Sequence, residues 1–122
     1  MKENVLKIKS YSFAIRIVKL SQYLQQTKKE FVLSKQILRS GTAVGVLIRE
    51  AEYGQSKADF AHKLSIALKE ANETEYWICI LNDTGYIDKN EFESILPDCK
   101  ELLKMLIASI KTVKQWAMNN EQ

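Results

Sequence analysis

The residues of this chain that could do acid–base or metal chemistry are its only histidine, His62, and a set of glutamates in the middle of the sequence. Inward-facing glutamates on four helices form di-metal carboxylate sites, but such sites also need two Glu-x-x-His motifs, and this sequence has none. His62 lies beside Asp59 and Lys63, where a solvated or capping role is more typical than that of a general base. We therefore predict neither a metal site nor an acid–base pair. The glutamates considered are Glu50, Glu52, Glu70, Glu73 and Glu75.

Motifs for nucleophilic catalysis and phosphate binding are also absent: the sequence has no G-x-S-x-G, no Gly-rich phosphate loop and no Cys/His pair. Cys79 and Cys99 fall within apolar helical patterns without C-x-x-C spacing, which favours buried, reduced thiols over a disulfide or a reactive thiol. Residues 1–20 mix lysines into every apolar run, and no run reaches the roughly 18 apolar residues of a membrane span. We therefore expect a non-catalytic, cytoplasmic protein without a cofactor.

Four amphipathic helices must position whatever site exists. The 122 residues include one Pro and four Gly, which leaves few turns and favours few, long elements in one domain, 1–122. Apolar residues recur at alternating spacings of three and four over about 10–27, 35–53, 56–83 and 88–118. Because the connections are short, neighbouring helices must be antiparallel. The sequence predicts an all-α, antiparallel up-and-down four-helix bundle.

The predicted helix starts rest on capping residues. Ser34, between the hydrophobic pair Leu33 and Leu38, is expected to cap the second helix. Ser56 with Asp59, and Asp88 with Glu91, have the capping-box spacing for the third and fourth helices.

Two helices carry a further prediction. The first helix is expected to be apolar on one side only, along Phe13, Ile17, Leu20 and Leu24. Pro97 lies inside the pattern of the fourth helix, where the loss of one backbone hydrogen bond predicts a kink.

Two glycines interrupt the second helix, and each costs about 1 kcal/mol relative to Ala in a helix interior. Gly41 and Gly45 lie one turn apart, and Gly41 shares an inward seam with Ile37, Val44 and Ile48. Small residues on one face allow another backbone to approach closely. The partner is either a neighbouring helix of the bundle or another subunit, and the sequence leaves both open.

The order of residues around this helix resembles the signature of the four-helix-bundle proteins encoded in 23S rRNA intervening sequences, a bacterial family. The resemblance is carried by residues 36–77, QILRSGTAVGVLIREAEYGQSKADFAHKLSIALKEANETEYW. Its specific parts are Gln36, Arg39-Ser40-Gly41, Gly45, Glu50-Ala51, Gln55 to Phe60 and Ala67 to Ala71. A typical member has Asn followed by Ile-Ala-Glu where this chain has Leu47-Ile48-Arg49-Glu50, so no role of that Asn carries over.

This resemblance implies a ring-like homo-oligomer, expected to be a pentamer, and no enzymatic activity. It also implies a relation to the accessory variability determinant of diversity-generating retroelements, a basic barrel that binds nucleic acid and a reverse transcriptase.

Charge is distributed unevenly along the chain. Residues 1–61 hold 11 Lys and Arg against 5 Asp and Glu, whereas residues 62–122 hold 7 against 10. The excess of cations permits a basic, phosphate-binding face, and a merely solvated face is the alternative. The candidate nucleic-acid contacts are Arg16, Lys19, Lys28, Lys29, Lys35, Arg39, Arg49, Lys57 and Lys63.

Aromatic and acidic residues off the seams supply the last candidates. Tyr53, Tyr76, Trp77 and Trp116 are either the flank of the core or a subunit contact surface. The glutamates at 70 and 73 could form a buried ion pair with the arginine at 39 or 49, which would set helix register.

The sequence thus predicts a non-catalytic oligomeric bundle that binds nucleic acid, structured RNA first, mainly through phosphates. The alternative is a scaffold that docks a protein partner such as a polymerase. A continuous basic stripe would favour the first interpretation, and an exposed apolar groove rimmed by acidic residues would favour the second.

Overall fold

The computed structural model describes the backbone of residues 2–120 and the side chains of residues 5–119. It contains four helices, α1 (Lys2–Gln26), α2 (Leu33–Glu52), α3 (Lys57–Asp83) and α4 (Lys89–Asn120), and no strand within the described range. Each helix packs against the next in chain order, and α4 closes more loosely on α1. The predicted all-α four-helix bundle is confirmed.

The core follows the seam predicted on α2, and on α3 it follows the row that alternating spacing predicts, Leu64, Ala67, Ala71, Thr74, Ile78 and Leu81. On α4 it differs from the expected seam by one position in part. The alternating spacing on this helix predicts a seam that includes Leu96, Cys99, Leu103 and Leu106. Ile95 and Leu102 are instead fully buried, and Leu96 and Leu103 are only partly buried against the core. Adjacent helical residues are about 100° apart, so an apolar pair at neighbouring positions does not reveal which member points inward. The packing of α4 against α3 and α1 decides it.

Helix α1 departs most from expectation. It begins at Lys2 rather than near Ser10, and the prediction of a single apolar side is wrong. Its inner face is buried as predicted, but a second apolar row points away from the core and is exposed. This row, named here the α1 outer face, consists of Val5, Ile8, Tyr11, Ile15 and Val18.

The start of α2 is capped by a residue other than the predicted Ser34. Ser34 lies inside the helix and is buried, where its hydroxyl accepts a hydrogen bond from Gln25 Nε2 at 3.2 Å. The Glu30 carboxylate instead accepts from the backbone N–H groups of Val32 (3.2 Å) and Ser34 (2.8 Å). The Glu30 carboxylate, which lies in the loop, thus bonds two N–H groups at the start of α2. The Ser34 hydroxyl is not needed as a cap and packs against α1.

The other two caps are confirmed. Asp59 donates its backbone N–H to Ser56 Oγ at 3.0 Å, and Glu91 donates its backbone N–H to Asp88 Oδ1 at 2.8 Å. Helix α4 continues through Pro97 without a break.

Candidate nucleic-acid interface

Arg16 holds α1 against α4. Its guanidinium lies 2.9 Å from Asp98 Oδ2 and 3.2 Å from Glu91 Oε1, and it donates to the Ser94 carbonyl oxygen at 3.0 Å. Both terminal nitrogens of the guanidinium are engaged by α4, so Arg16 links α1 to α4, the most loosely packed pair of neighbouring helices. It is poorly placed to bind a phosphate at the same time.

Arg39 joins α2 to α3 in the same way. It pairs with Glu70 at 3.0 Å and with Glu73, which also accepts a hydrogen bond from Trp77 Nε1 at 2.9 Å. Hydrogen bonds to Glu73 and Glu70 raise the pKa of Arg39, and those from Arg39 and then Trp77 lower the pKa of Glu73. The predicted pairing is confirmed for Arg39. The prediction that it is buried is wrong, because the Arg39 side chain is 51% exposed.

Three further candidates contact the bundle. Lys63 Nζ lies 3.0 Å from Glu50 Oε1. Arg49 lies over the Tyr11 ring, 5.7 Å from its centroid, and the Lys57 ammonium lies 5.2 Å from the centroid of the Trp116 ring. The contacts of Arg49 and Lys57 are cation–π interactions, which leave the cation partly available to an anion.

The side chains of the remaining four candidates form no hydrogen bond or ion pair with any residue that the structure describes. Lys19 lines the groove between α1 and α4, beside Asp88 and Glu91. Lys28 and Lys29 are exposed in the α1–α2 connection, and Lys35 is exposed in the first turn of α2. The sequence set therefore divides into cations that hold the bundle together and cations that face solvent.

The two glycines of α2 lie against α1. A Cβ at Gly41 would come within 2.8 Å of both Cγ atoms of Ile17, and one at Gly45 would lie 3.5 Å from Ser10 O and Oγ. Gly41 therefore permits a close approach of α1 and α2 within one chain, whereas Gly45 has room for a methyl group.

The aromatic candidates fall into two groups. Tyr53, Tyr76 and Trp116 are exposed, whereas Trp77 is partly buried against the core. Tyr76 contacts Trp77 edge to face with ring centroids 5.2 Å apart.

Sequence reasoning missed the α1 outer face. Ile8, Tyr11, Ile15 and Val18 follow a spacing of three, four and three, the same helical signal as the inner seam. This second row in the first 18 residues is the sequence signal that predicts the α1 outer face. A contiguous apolar patch on a helix exterior is typical of an interaction surface.

The structure adds little to the residues considered for catalysis. Among the described residues, no three His, Cys, Asp or Glu side chains come together as a metal-binding group. His62 is exposed, Cys99 is buried and Cys79 is partly buried, and both cysteines are free thiols. Burial raises the pKa of the Cys99 thiol to about 12, so its nucleophilic form is scarce at neutral pH. Within residues 2–120, no helix is long and apolar enough to cross a membrane.

Comparison with known proteins places this fold in a family. The family model described as 23S rRNA-intervening sequence protein matches residues 2–108. The chain belongs to this family. The crystal structure of a protein from Bacteroides thetaiotaomicron VPI-5482, described as being of unknown function and from the S23 ribosomal protein family, has a TM-score of 0.90 to this chain. The two chains are 59% identical, with 91% of this chain and 99% of that chain covered. No curated protein matches the chain in sequence.

The resemblance drawn from residues 36–77 is therefore confirmed. At the position where this chain departs from the usual 23S rRNA-intervening sequence pattern, Leu47 is partly buried and packs against the core. An apolar side chain suits that environment.

Proposed function

We propose that this protein is a non-catalytic, self-associating bundle that binds nucleic acid, structured RNA first, through cations on its α1–α2 side. The observation that carries the proposal is the division of the candidate cations. Lys19, Lys28, Lys29, Lys35 and Arg49 all lie on α1, α2 or their connection, and none forms an ion pair with a described residue. Solvent-facing cations without an ionic partner are the groups that can neutralise a phosphate backbone.

Self-association is supported by the α1 outer face. Five apolar side chains on the outside of one helix cost free energy in water, and burial against a second copy would recover it. Each additional copy adds a net charge of +3, so an oligomer presents more phosphate contacts to one RNA than a monomer does. A ring of five is the assembly that the family resemblance led us to expect.

The test of nucleic-acid binding is fluorescence anisotropy with a labelled RNA hairpin and a duplex DNA, titrated at several salt concentrations. Binding whose log affinity falls with log salt, by about 0.9 per neutralised phosphate for the duplex, would support the proposal. Changing Lys19 and Arg49 to Gln should reduce affinity and slope. The matched control changes Lys104 and Lys111 to Gln, because these lysines are exposed on the outer side of α4 and have no ion pair with a described residue. Absence of binding at low salt would refute the proposal.

The test of self-association is the molar mass in solution, measured by light scattering. Ile15→Asp, in the α1 outer face, should reduce the mass of the assembly. Ile107→Asp on α4 is the matched control, since the two isoleucines are 43% and 42% exposed. It should leave the mass unchanged.

The α1 outer face also favours a second candidate function, a scaffold that docks a protein partner. The mass measurement separates the two. A monomeric wild-type protein that binds no nucleic acid would leave the apolar face free for another protein, and the scaffold would then be the better interpretation.

A further inference from the structure

The connection between α1 and α2 combines three cations with an exposed aromatic ring. Residues 28–35 read KKEFVLSK and carry a net charge of +2. Phe31 is 52% exposed and Val32 is 69% exposed, whereas Leu33 turns inward and packs against the core. We name Lys28, Lys29, Phe31 and Lys35 the loop cluster.

The backbone that presents this cluster is held at both ends. The Glu30 N–H donates to the Leu24 carbonyl oxygen at 2.9 Å, which ties the connection to the end of α1. The Glu30 carboxylate bonds the N–H groups of Val32 and Ser34, which ties it to the start of α2. The one acidic residue of the segment is therefore occupied at the helix start, and the neighbouring side chains are presented on a fixed backbone.

Lys29 occupies a position that favours glycine. Its φ of +56° lies in the left-handed region, which L residues with a Cβ adopt at a cost. A glycine there would end α1 with less strain. The chain instead places a cation there, and its ammonium forms no hydrogen bond or ion pair with the described residues. Its neighbours Lys28 and Lys35 are equally without an ionic partner in the described part of the bundle.

Cations beside an exposed ring match the chemistry of a single strand. Lysines bind phosphates of any nucleic acid, but an aromatic face can stack only on a base that is not already stacked in a duplex. The ring of Phe31 has no described aromatic partner, so its solvent-facing surface is free to accept a base. The three lysines lie two to four residues from Phe31 in the same short segment, so they supply cations beside the ring for the phosphates that flank a stacked base.

We infer that the loop cluster binds single-stranded nucleic acid, with Phe31 stacking on a base and Lys28, Lys29 and Lys35 contacting the flanking phosphates. This inference rests on the proposed function and names the part of the nucleic acid that the site takes. In a structured RNA the target is an unpaired loop or end, and a single-stranded DNA offers the same chemistry.

The experiment measures anisotropy of labelled U12 and dT12 strands, and of a duplex of equal length, on the full-length protein. We expect tighter binding of the single strands than of the duplex. Phe31→Leu, which keeps an apolar side chain but removes the ring, should weaken single-strand binding about 10-fold and leave the salt slope unchanged. Phe31→Tyr should restore binding. Changing Lys28 and Lys35 to Gln should reduce the salt slope by about 1.4, two phosphate contacts on a single strand.

Lys29→Gly separates binding from folding. The variant should melt at a higher temperature, because the backbone strain is relieved, and bind single strands more weakly, because a phosphate contact is lost. Lower affinity together with a lower melting temperature would mean that Lys29 acts through the fold, which would overturn its assigned contact.

Two controls fix the interpretation. Val32→Ala removes exposed apolar surface beside Phe31 without removing a ring, and should change affinity less than about 2-fold. The double change of Lys104 and Lys111 to Gln should leave the slope as it is.

If the wild-type protein binds nucleic acid but the loop variants bind equally well, the inference fails and the proposed function stands. If the wild-type protein binds neither strand nor duplex, both fail. If U12 binds and dT12 does not, the site requires the 2′-hydroxyl and is specific to RNA.

Discussion

Two glycines on one helix provide a matched test of how closely α1 and α2 pack. Gly41→Ala and Gly45→Ala make the same chemical change on the same helix, one turn apart. At Gly41 the new Cβ would meet both Cγ atoms of Ile17 at 2.8 Å. At Gly45 the nearest atoms are those of Ser10 at 3.5 Å, an ordinary van der Waals distance.

The expected changes in the free energy of unfolding differ by about 1–3 kcal/mol. Both substitutions gain about 1 kcal/mol because Ala is a better helix former than Gly. At Gly45 nothing opposes the gain, so we expect stabilisation by about 1 kcal/mol. At Gly41, Ile17 is fully buried and β-branched, and cannot swing away from the new methyl group. Overpacking of this kind costs about 1–3 kcal/mol, so Gly41→Ala should be neutral or destabilising by up to about 2 kcal/mol.

Urea unfolding followed by circular dichroism measures the difference. With an m-value of about 2 kcal/mol/M, the two midpoints should differ by about 0.5–1.5 M. Equal protein concentrations are needed, because self-association would add a concentration-dependent term. Ile17→Ala removes both clashing Cγ atoms, so in that background Gly41→Ala should become stabilising. Equal stabilisation by Gly41→Ala and Gly45→Ala in the wild-type background would refute the close approach.

Three other predictions concern a cap, an ion pair and a thiol. Ser56→Ala removes the hydroxyl that caps α3 and should cost about 1 kcal/mol, or about 4 °C in melting temperature. Glu73 has its pKa lowered in the folded state by Arg39, so it stabilises the fold above the unfolded Glu pKa of about 4.3, and this contribution is lost as the pH falls through the lower, folded pKa. Urea midpoints between pH 7 and pH 3 should therefore fall more in the wild-type protein than in Glu73→Gln. Cys99, whose pKa is raised to about 12, should react with a thiol reagent at pH 8 only as fast as the protein unfolds, whereas Cys79 should react sooner.

Each of these three predictions has a control or a result that would contradict it. Ser12→Ala changes an exposed serine whose hydroxyl has no hydrogen bond within the described residues, and its melting temperature should stay within about 1 °C of wild type. Parallel pH profiles for wild type and Glu73→Gln would show that the ion pair contributes nothing to acid stability. Labelling of Cys79→Ser at the same rate as Cys99→Ser would contradict the burial of Cys99.

Periodicity and capping chemistry predicted most of the fold because both are local. The third and fourth helices begin at the expected caps. A hydroxyl or carboxylate can accept a hydrogen bond from the N–H three residues later whatever the rest of the fold does. The error at Ser34 arose where a rival cap lay outside the helix. Glu30 reaches the same N–H groups from the loop, and spacing along the sequence does not show which of the two side chains prevails.

The candidate site was predicted in part. Lysines and arginines could be enumerated from the sequence, but their availability depends on ion pairs with residues far along the chain. Arg16 meets Asp98, and Arg39 meets Glu70, only because antiparallel helices bring these positions together. The loop cluster can be recognised only once these pairs show which cations still face solvent.

The sequence by itself determined the four helices, the inward seams of α1, α2 and α3, and the family, because these follow from residue order and helical period. The tertiary structure alone decided which of two adjacent apolar positions on α4 lies inside, that a second apolar row of α1 stays exposed, which cations are neutralised and which face solvent. Burial and ion pairing are properties of neighbours in space, and a helix with two apolar rows, or an arginine with several possible partners, is resolved only when the other helices are in place.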